Sequence, residues 1–246
     1  MRPADPASPV GSAGPVGPAG SADSAEIVPP PAPPTAAAQV FGSALPLAAQ
    51  FAALLATDGV QRGLLGPREV PRLWERHLLN CAVVAELVPA DAEVVDIGSG
   101  AGLPGIVIAM LRPSVRMILL EPMLRRTVFL EECVAALELA NVTVRRGRAE
   151  ELAGLLRADV ATSRAVAPLE RLVPLSSGVI RPGGTILAIK GRDAEAELRQ
   201  AAPVLRQLGV RSADVVKAGQ GIVEPPATVV RILTGETGRR RSSRKR

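Results

Sequence analysis

Residues 94–105 read Val94-Val-Asp-Ile-Gly-Ser-Gly-Ala-Gly-Leu-Pro-Gly105, and the fold turns on them. With Glu93 in front, EVVDI has the apolar, β-branched run of a strand buried between two layers. Glycines at 98, 100 and 102 let the backbone turn tightly and approach a ligand with no Cβ in the way. A helix is expected next, through 106–111. Strand, glycine turn and helix together open a parallel βαβ unit.

The alternation continues downstream. Residues 116–120 (RMILL) read as a second strand, 124–139 as a long helix, 142–146 as a short strand and 159–162 as a fourth. A helix over 169–180 ends at the turn Arg181-Pro-Gly-Gly184. Residues 185–190 form a fifth strand and 193–208 a helix, and two more strands are expected around 210–217 and 227–233. Strands separated by helices of this length imply parallel pairing with right-handed crossovers. The last two strands have no clear helix between them, so one of them should be antiparallel. Upstream, apolar residues at three- and four-residue spacing over 46–55 and 70–87 predict helices before the first strand. The expected fold is therefore α/β, Rossmann-like, with about seven strands, helices on both faces and helices at the N-terminal side.

The flanks differ in composition. Residues 1–40 hold ten prolines and four glycines, too few bulky apolar groups to offset ordering entropy, and read as a disordered extension. The domain proper spans 45–234, with 45–90 as its helical part. Residues 235–246 read as a basic, disordered tail, because Arg239 to Arg246 carry six positive charges and no negative one. The net charge of +5 therefore sits in that tail, and residues 41–238 are close to neutral. Such a tail attracts phosphate without sequence preference, or is simply solvated.

Composition also excludes chemistries. Aromatic residues make up 2% of the chain, with no Tyr, which weakens any base-stacking RNA module. The single histidine, His77, leaves no material for a His-based triad or a His-rich metal site, and no metal is expected. Cys81 and Cys133 have no metal-ligand spacing and suggest a reduced, cytoplasmic chain. The start lacks a signal-peptide pattern, and the Ala-rich stretch 40–57 reads as a buried helix rather than a membrane span.

In an open sheet of this kind ligands sit at the carboxyl ends of the strands. A dinucleotide fingerprint would require glycine at 103, where the chain has Leu103. Asp96, before the loop, can order it or accept from an ammonium group, which a dinucleotide does not offer. Glu121 at the end of the second strand suits the vicinal diol of an adenosine ribose, although a solvated Glu opening a helix at Pro122 is as ordinary. Asp96, the Gly98–Gly100–Gly102 loop and Glu121 together favour S-adenosylmethionine over NAD. Arg148-Ala149-Glu150 follows the third strand, where side chains flank an adenine or acids open a helix. Arg164, after the fourth strand on an apolar stretch, reads as a functional arginine, with a structural ion pair as the competing account.

The acceptor can be narrowed. Methylation of a pyrimidine carbon needs a cysteine nucleophile, and neither Cys81 nor Cys133 follows a strand or precedes Pro. Exocyclic amine methylation commonly uses an Asn/Asp-Pro-Pro-aromatic turn, whereas the loop here reads Ala161-Thr-Ser-Arg164. An acceptor that is already nucleophilic remains, such as guanine N7, with catalysis by proximity and orientation.

Arg76-His77-Leu78-Leu79, Val95-Asp-Ile-Gly-Ser-Gly-Ala-Gly-Leu-Pro-Gly105, Arg148-Ala-Glu150, Ser163-Arg164-Ala165 and Lys190-Gly191 occur in this order. In these motifs the chain resembles the small-subunit ribosomal RNA guanine-N7 methyltransferases, the glucose-inhibited division B family, over roughly 45–234. The resemblance implies a class I S-adenosylmethionine-dependent methyltransferase that methylates N7 of a guanine in the 530 loop of 16S ribosomal RNA, position 527. It implies cofactor contacts at Gly98, Leu103, Ala149, Glu150 and Arg164, with Asp96, Gly100 and Glu121 beside them and Arg164 as the catalytic candidate. Arg76, His77 and Lys190 are candidates for holding RNA, by position and charge, with a helix-capping or core-edge histidine and a solvated lysine as the competing accounts. The chain departs from the family where an Asn-Leu-Thr motif is common and it has Gly63-Leu-Leu-Gly-Pro-Arg68.

The expected partner is 16S RNA, the small subunit or an assembly intermediate, with the chain acting as a monomer and off the membrane. Two other readings stay open. One is a small-molecule or protein methyltransferase of the same fold; the other is a noncatalytic RNA-binding protein that keeps the fold.

Overall fold

The structure is a computed structural model and describes residues 29–236. The proline-rich start (1–28) and the basic run 239–246 lie outside the described residues.

Seven strands form one sheet: β1 (Glu93–Ile97), β2 (Arg116–Glu121), β3 (Val142–Arg146), β4 (Ala158–Arg164), β5 (Ile180–Lys190), β6 (Ser212–Ala218) and β7 (Ala227–Leu233). Their order is β3-β2-β1-β4-β5-β7-β6. The first five strands pair in parallel, and β7 runs antiparallel to both β5 and β6. The order in which strands are added reverses between the parallel neighbours β1 and β4, so a crevice opens at their carboxyl ends.

Alternation along β1 sorts side chains between two cores. Val94 joins the layer of the N-terminal helices, α4 (Gly105–Leu111) and α5 (Leu124–Ala136). Val95 and Ile97 join the layer of α6 (Leu169–Val179), α7 (Ala194–Gln200) and α8 (Ala202–Gln207). Every large aliphatic group fully buried here contributes roughly 1.5–3 kcal/mol, which is how a chain poor in aromatics builds a stable interior.

Upstream of the sheet, α1 (Thr35–Phe41) and α2 (Leu45–Leu54) continue through a π-turn, Leu55–Gly59. The helical run Thr35–Gly59 is long and apolar enough to cross a membrane by length and composition alone. Phe41, Ala48, Phe51 and Leu55 from this run are nevertheless packed in the core. α1 corrects the expectation that all of 1–40 lacks order. Its alanines favour helix, and Ala37 and Phe41 are buried. Phe41 meets Trp74 edge-on with centroids 6.1 Å apart, and Trp74 Nε1–H donates to Pro31 O at 2.8 Å.

The expected helix over 70–87 is one helical run of changing pitch. It passes from a 3-10 turn (Pro67–Arg72) to a π-helical stretch (Leu73–Leu79), then α3 (Asn80–Ala82) and a second 3-10 turn (Val83–Leu87). Pro71 has no N–H to donate and sits inside the first turn. The wide π stretch carries Arg76 and His77.

Among the boundaries that differ elsewhere are those of β4, β5 and the helix after β5. β4 runs two residues past Thr162, so Arg164 is the last residue of the strand, paired with Ile189. Strand β5 begins at Ile180, through the expected turn, because Ile180 pairs with Ala158 before a register shift. The helix expected over 193–208 is split at Ala201, one residue before the Ala202-Pro203 step.

Candidate active site

A cavity of about 460 Å³ lies at the carboxyl ends of β1, β2 and β4. One wall is the glycine loop Gly98–Ala101 with Leu103. A second is Glu121–Met123 with Arg126, a third is Arg164–Val166, and Leu64 and Leu65 face it from the connection between the N-terminal helical runs.

The glycine loop is held by its own backbone. Gly98 and Ser99 N–H both donate to Leu120 O, at 2.8 and 3.2 Å, and Gly100 N–H donates to Glu121 Oε2 at 3.0 Å. Gly98 has φ +67, a left-handed conformation that favours glycine, and a Cβ there would lie 3.1 Å from Val166 Cγ2. The loop after β4 therefore closes directly over Gly98.

Glu121 is 1% exposed, so it is not the solvated acid of the alternative reading. Its Oε1 accepts Met123 N–H at 3.0 Å, its Oε2 accepts Gly100 N–H, and Arg126 Nη1 stands 3.7 Å from Oε2. A carboxylate oxygen accepts more than one hydrogen bond, so both retain acceptor capacity toward the cavity.

Asp96 lies behind the loop, fully buried, and is not part of the cavity wall. Its Oδ2 accepts Gly105 N–H at 3.0 Å, at the start of α4, while Oδ1 has no partner. Burial pushes its carboxyl up to about 7, against the Gly105 hydrogen bond and the Arg164 charge. An acid whose folded value is raised gives stability that is fully present below its unfolded value near 4. That stability is lost as pH rises through about 7. That loss corresponds to about 4 kcal/mol. Urea unfolding between pH 4.5 and 8 should show this loss in the native chain relative to Asp96→Asn. Equal slopes in the two proteins would refute the assignment.

Arg164, half-buried, reaches His77 across 87 residues of sequence. Its Nη1–H donates to His77 Nδ1 at 2.9 Å, and His77 Nε2 lies 2.8 Å from Glu69 Oε2. An arginine can only donate, so Nδ1 is the acceptor and Nε2–H is the donor to Glu69. Burial first, then the Arg164 charge, holds His77 below its ordinary value, with Glu69 pulling the other way. The His77 hydrogen bond in turn holds Glu69 below the usual carboxylate range. Arg76 is 54% exposed in its side chain and 3.5 Å from Glu69 Oε1.

Of the sequence candidates, Gly98, Gly100, Leu103, Glu121 and Arg164 line the cavity. Ala149 is buried beside Leu152 in the second core and Glu150 is exposed, and neither is on the cavity wall. Lys190 Nζ donates to Ala167 O and Glu197 Oε2, both at 2.7 Å, with its side chain 9% exposed. That ammonium ties the loop after β4 to α7 and faces inward. Both thiols are buried, and burial raises Cys81 to about 11 and Cys133 to about 12, which keeps them protonated at neutral pH.

Residues not anticipated include Glu69, Arg126, Met123, Val166 and the pair Leu64–Leu65. Arg126 contributes a buried Nε with no partner. Its spacing from Glu121, placing it in the first turn of α5, was the one signal available.

A doubly wound sheet with antiparallel β7, whose glycine loop and β2 acid converge on one crevice, defines a class I S-adenosyl-L-methionine-dependent methyltransferase. Solved structures share this fold at low identity. A putative S-adenosyl-L-methionine-dependent methyltransferase from Methanococcus maripaludis aligns with TM-score 0.52 and 14% identity, over 76% of this chain and 94% of that one. An O-methyltransferase from Thermotoga maritima aligns with TM-score 0.50 and 14% identity, over 64% and 65%.

The chain belongs to the GidB family, rRNA small subunit methyltransferase G, whose model matches residues 44–224. Ribosomal RNA small subunit methyltransferase G of Thermobifida fusca is 58% identical over 200 residues, 81% of this chain and 84% of that protein. The protein of that name from Streptomyces avermitilis is 54% identical over 209 residues, 85% and 87%. The cofactor is S-adenosyl-L-methionine. The cavity fits it: a cradle at Gly98 that a Cβ would narrow, a buried carboxylate with spare acceptors at Glu121, and the cationic donors Arg126 and Arg164.

Proposed function

We propose that the chain methylates N7 of a guanine in the 530 loop of 16S ribosomal RNA, position 527, acting as a cytoplasmic monomer on the RNA or the assembling small subunit. The observation that carries the reading is a fixed guanidinium beside a cavity wall without a free base. Among the described residues on that wall, Glu121 is the only carboxylate, and the proposal assigns its remaining acceptor capacity to the ribose hydroxyls of the cofactor. His77 is engaged at both nitrogens. An acceptor that must lose a proton before attack is poorly served here; N7 presents a lone pair and needs no base. The names of the close relatives supply the substrate class, small-subunit ribosomal RNA.

Glu121 is placed to accept from the ribose hydroxyls of the cofactor, with the Gly98–Ala101 backbone leaving room for it. The bound cofactor supplies an electrophilic methyl on a sulfonium. Arg164, with donors left after its bond to His77, holds the guanine through O6 and leaves the N7 lone pair free. Because methylation makes the base cationic, a guanidinium beside it does not stabilise that charge. Arg164 contributes orientation instead.

The test uses purified protein, methyl-labelled S-adenosyl-L-methionine and unmodified 16S RNA, naked and assembled. N7-methylguanine is mapped by borohydride and aniline cleavage. One labelled guanine at position 527 is the expected result. Label on another atom or site, or none on RNA from protein that binds the cofactor, would overturn the proposal and favour a small-molecule or protein acceptor.

A further inference from the structure

We propose that Glu69 and His77 are positioning residues for Arg164, a hydrogen-bonded chain that works only while the imidazole is neutral and protonated at Nε2. The inference rests on the preceding reading for the role of Arg164, and on geometry for the chain itself.

His77 is 7% exposed and accepts Arg164 Nη1–H at Nδ1, and Glu69 Oε2 stands opposite at Nε2. Arg164 leaves the end of β4 with several rotatable bonds, and ordering such a side chain costs conformational entropy. A fixed acceptor meets that cost before RNA arrives, which is how a supporting residue sharpens orientation. Glu69 fixes the tautomer that makes Nδ1 the acceptor. The π-helical stretch Leu73–Leu79 carries the imidazole, and such widened turns recur at functional sites.

Protonation would break the chain. An imidazolium has no acceptor at Nδ1, and its charge would face the Arg164 guanidinium at hydrogen-bond distance. The groups facing His77 are Arg164 from β4, and Glu69 and Arg76 from its own helical run, with Arg72 acting on Glu69. Asp96 of β1 and the thiol of Cys81 feel the Arg164 charge from behind. Asp96, raised to about 7, adds its own pH dependence, but the Asp96 carboxylate makes no contact with Glu69. A response to changes at Glu69 therefore separates the two.

The chain holds a single histidine, so ring ¹⁵N spectra of histidine-labelled, tag-free protein report His77 alone. Above neutral pH the Nε2–H tautomer is expected, with a titration midpoint below the ordinary value that rises in Arg164→Ala. A dominant Nδ1–H tautomer, or a midpoint indifferent to Arg164, would overturn the chain whatever the substrate proves to be. Activity then tests its purpose. His77→Phe keeps ring bulk without either hydrogen bond and should lower kcat/KM about 10- to 100-fold. Circular dichroism and thermal unfolding identify misfolding. Glu69→Gln keeps an acceptor for Nε2–H but removes the charge that favours imidazolium, so the acid limb of the pH–rate profile should move to lower pH.

An unmoved limb in Glu69→Gln, or a folded His77→Phe as active as the native chain, would refute the positioning role. Absence of any RNA methylation in the native chain alongside the expected spectra would instead refute the substrate assignment.

Discussion

Arg164→Ala should lower kcat/KM for RNA methylation about 100-fold or more while the protein stays folded. The magnitude follows from the role proposed for the side chain in transfer to N7. Methyl transfer to N7 needs no acid, base or covalent intermediate, so the rate depends on holding the lone pair in line with the reacting methyl. A misplacement near 1 Å costs on the order of 100-fold. Alanine leaves His77 Nδ1 without its donor, a loss of about 1 kcal/mol that a domain of this size tolerates. Arg164→Lys should recover little, because a point charge on a flexible stem does not reproduce the planar fork. Single-turnover labelling with unmodified 16S RNA, beside thermal unfolding, provides the measurement. A loss below threefold in a folded variant would remove Arg164 from the chemistry.

Gly105→Ala should destabilise the chain by about 2–3 kcal/mol, through a collision rather than through backbone conformation. A Cβ built there overlaps Leu119 Cδ2 and falls 2.8 Å from Asp96 Oδ2 and 3.0 Å from Asp96 Cβ. Leu119 and Asp96 are both 0% exposed, so neither has solvent to move into. Helix propensity works the other way, since alanine in α4 gains roughly 1 kcal/mol over glycine. Overpacking costs 1–3 kcal/mol, and the Gly105 N–H bond to a buried carboxylate weakens with it, so the collision wins. The midpoint of thermal unfolding should fall by roughly 4–10 °C. Gly191→Ala is the control: nothing lies within 4 Å of its Cβ, and the change should stay within about 0.5 kcal/mol. Similar midpoints for the two variants would refute the account.

The glycine loop, β1, β3 and the alternation of strands with helices were legible in the sequence, because each rests on contacts within one turn or one strand. Antiparallel pairing near the end was legible too, since no crossover helix separates β6 from β7. Gly98, Gly100, Leu103, Glu121 and Arg164 could be placed at one crevice because all lie at or just after strand ends, where an open sheet gathers its loops.

Local pattern carried less where the partner is remote. Helix α1 reads from sequence as part of a disordered extension because Pro29–Pro34 dominates its neighbourhood, whereas Phe41 owes its order to Trp74. Lys190 reads as a free cation at the end of β5, yet Glu197 and the Ala167 carbonyl hold it inward. Asp96 reads either as a group that orders the loop or as a ligand, and it lies behind the loop as the anchor of α4, because alternation turns it toward Gly105. Glu69 carried no signal of its own. Its role depends on a histidine eight residues on and an arginine 87 residues beyond that one, brought together by packing a helix of irregular pitch against the ends of the strands. Backbone periodicity is a near-neighbour property of the chain. The direction in which a buried side chain finds its partner depends on how whole layers pack.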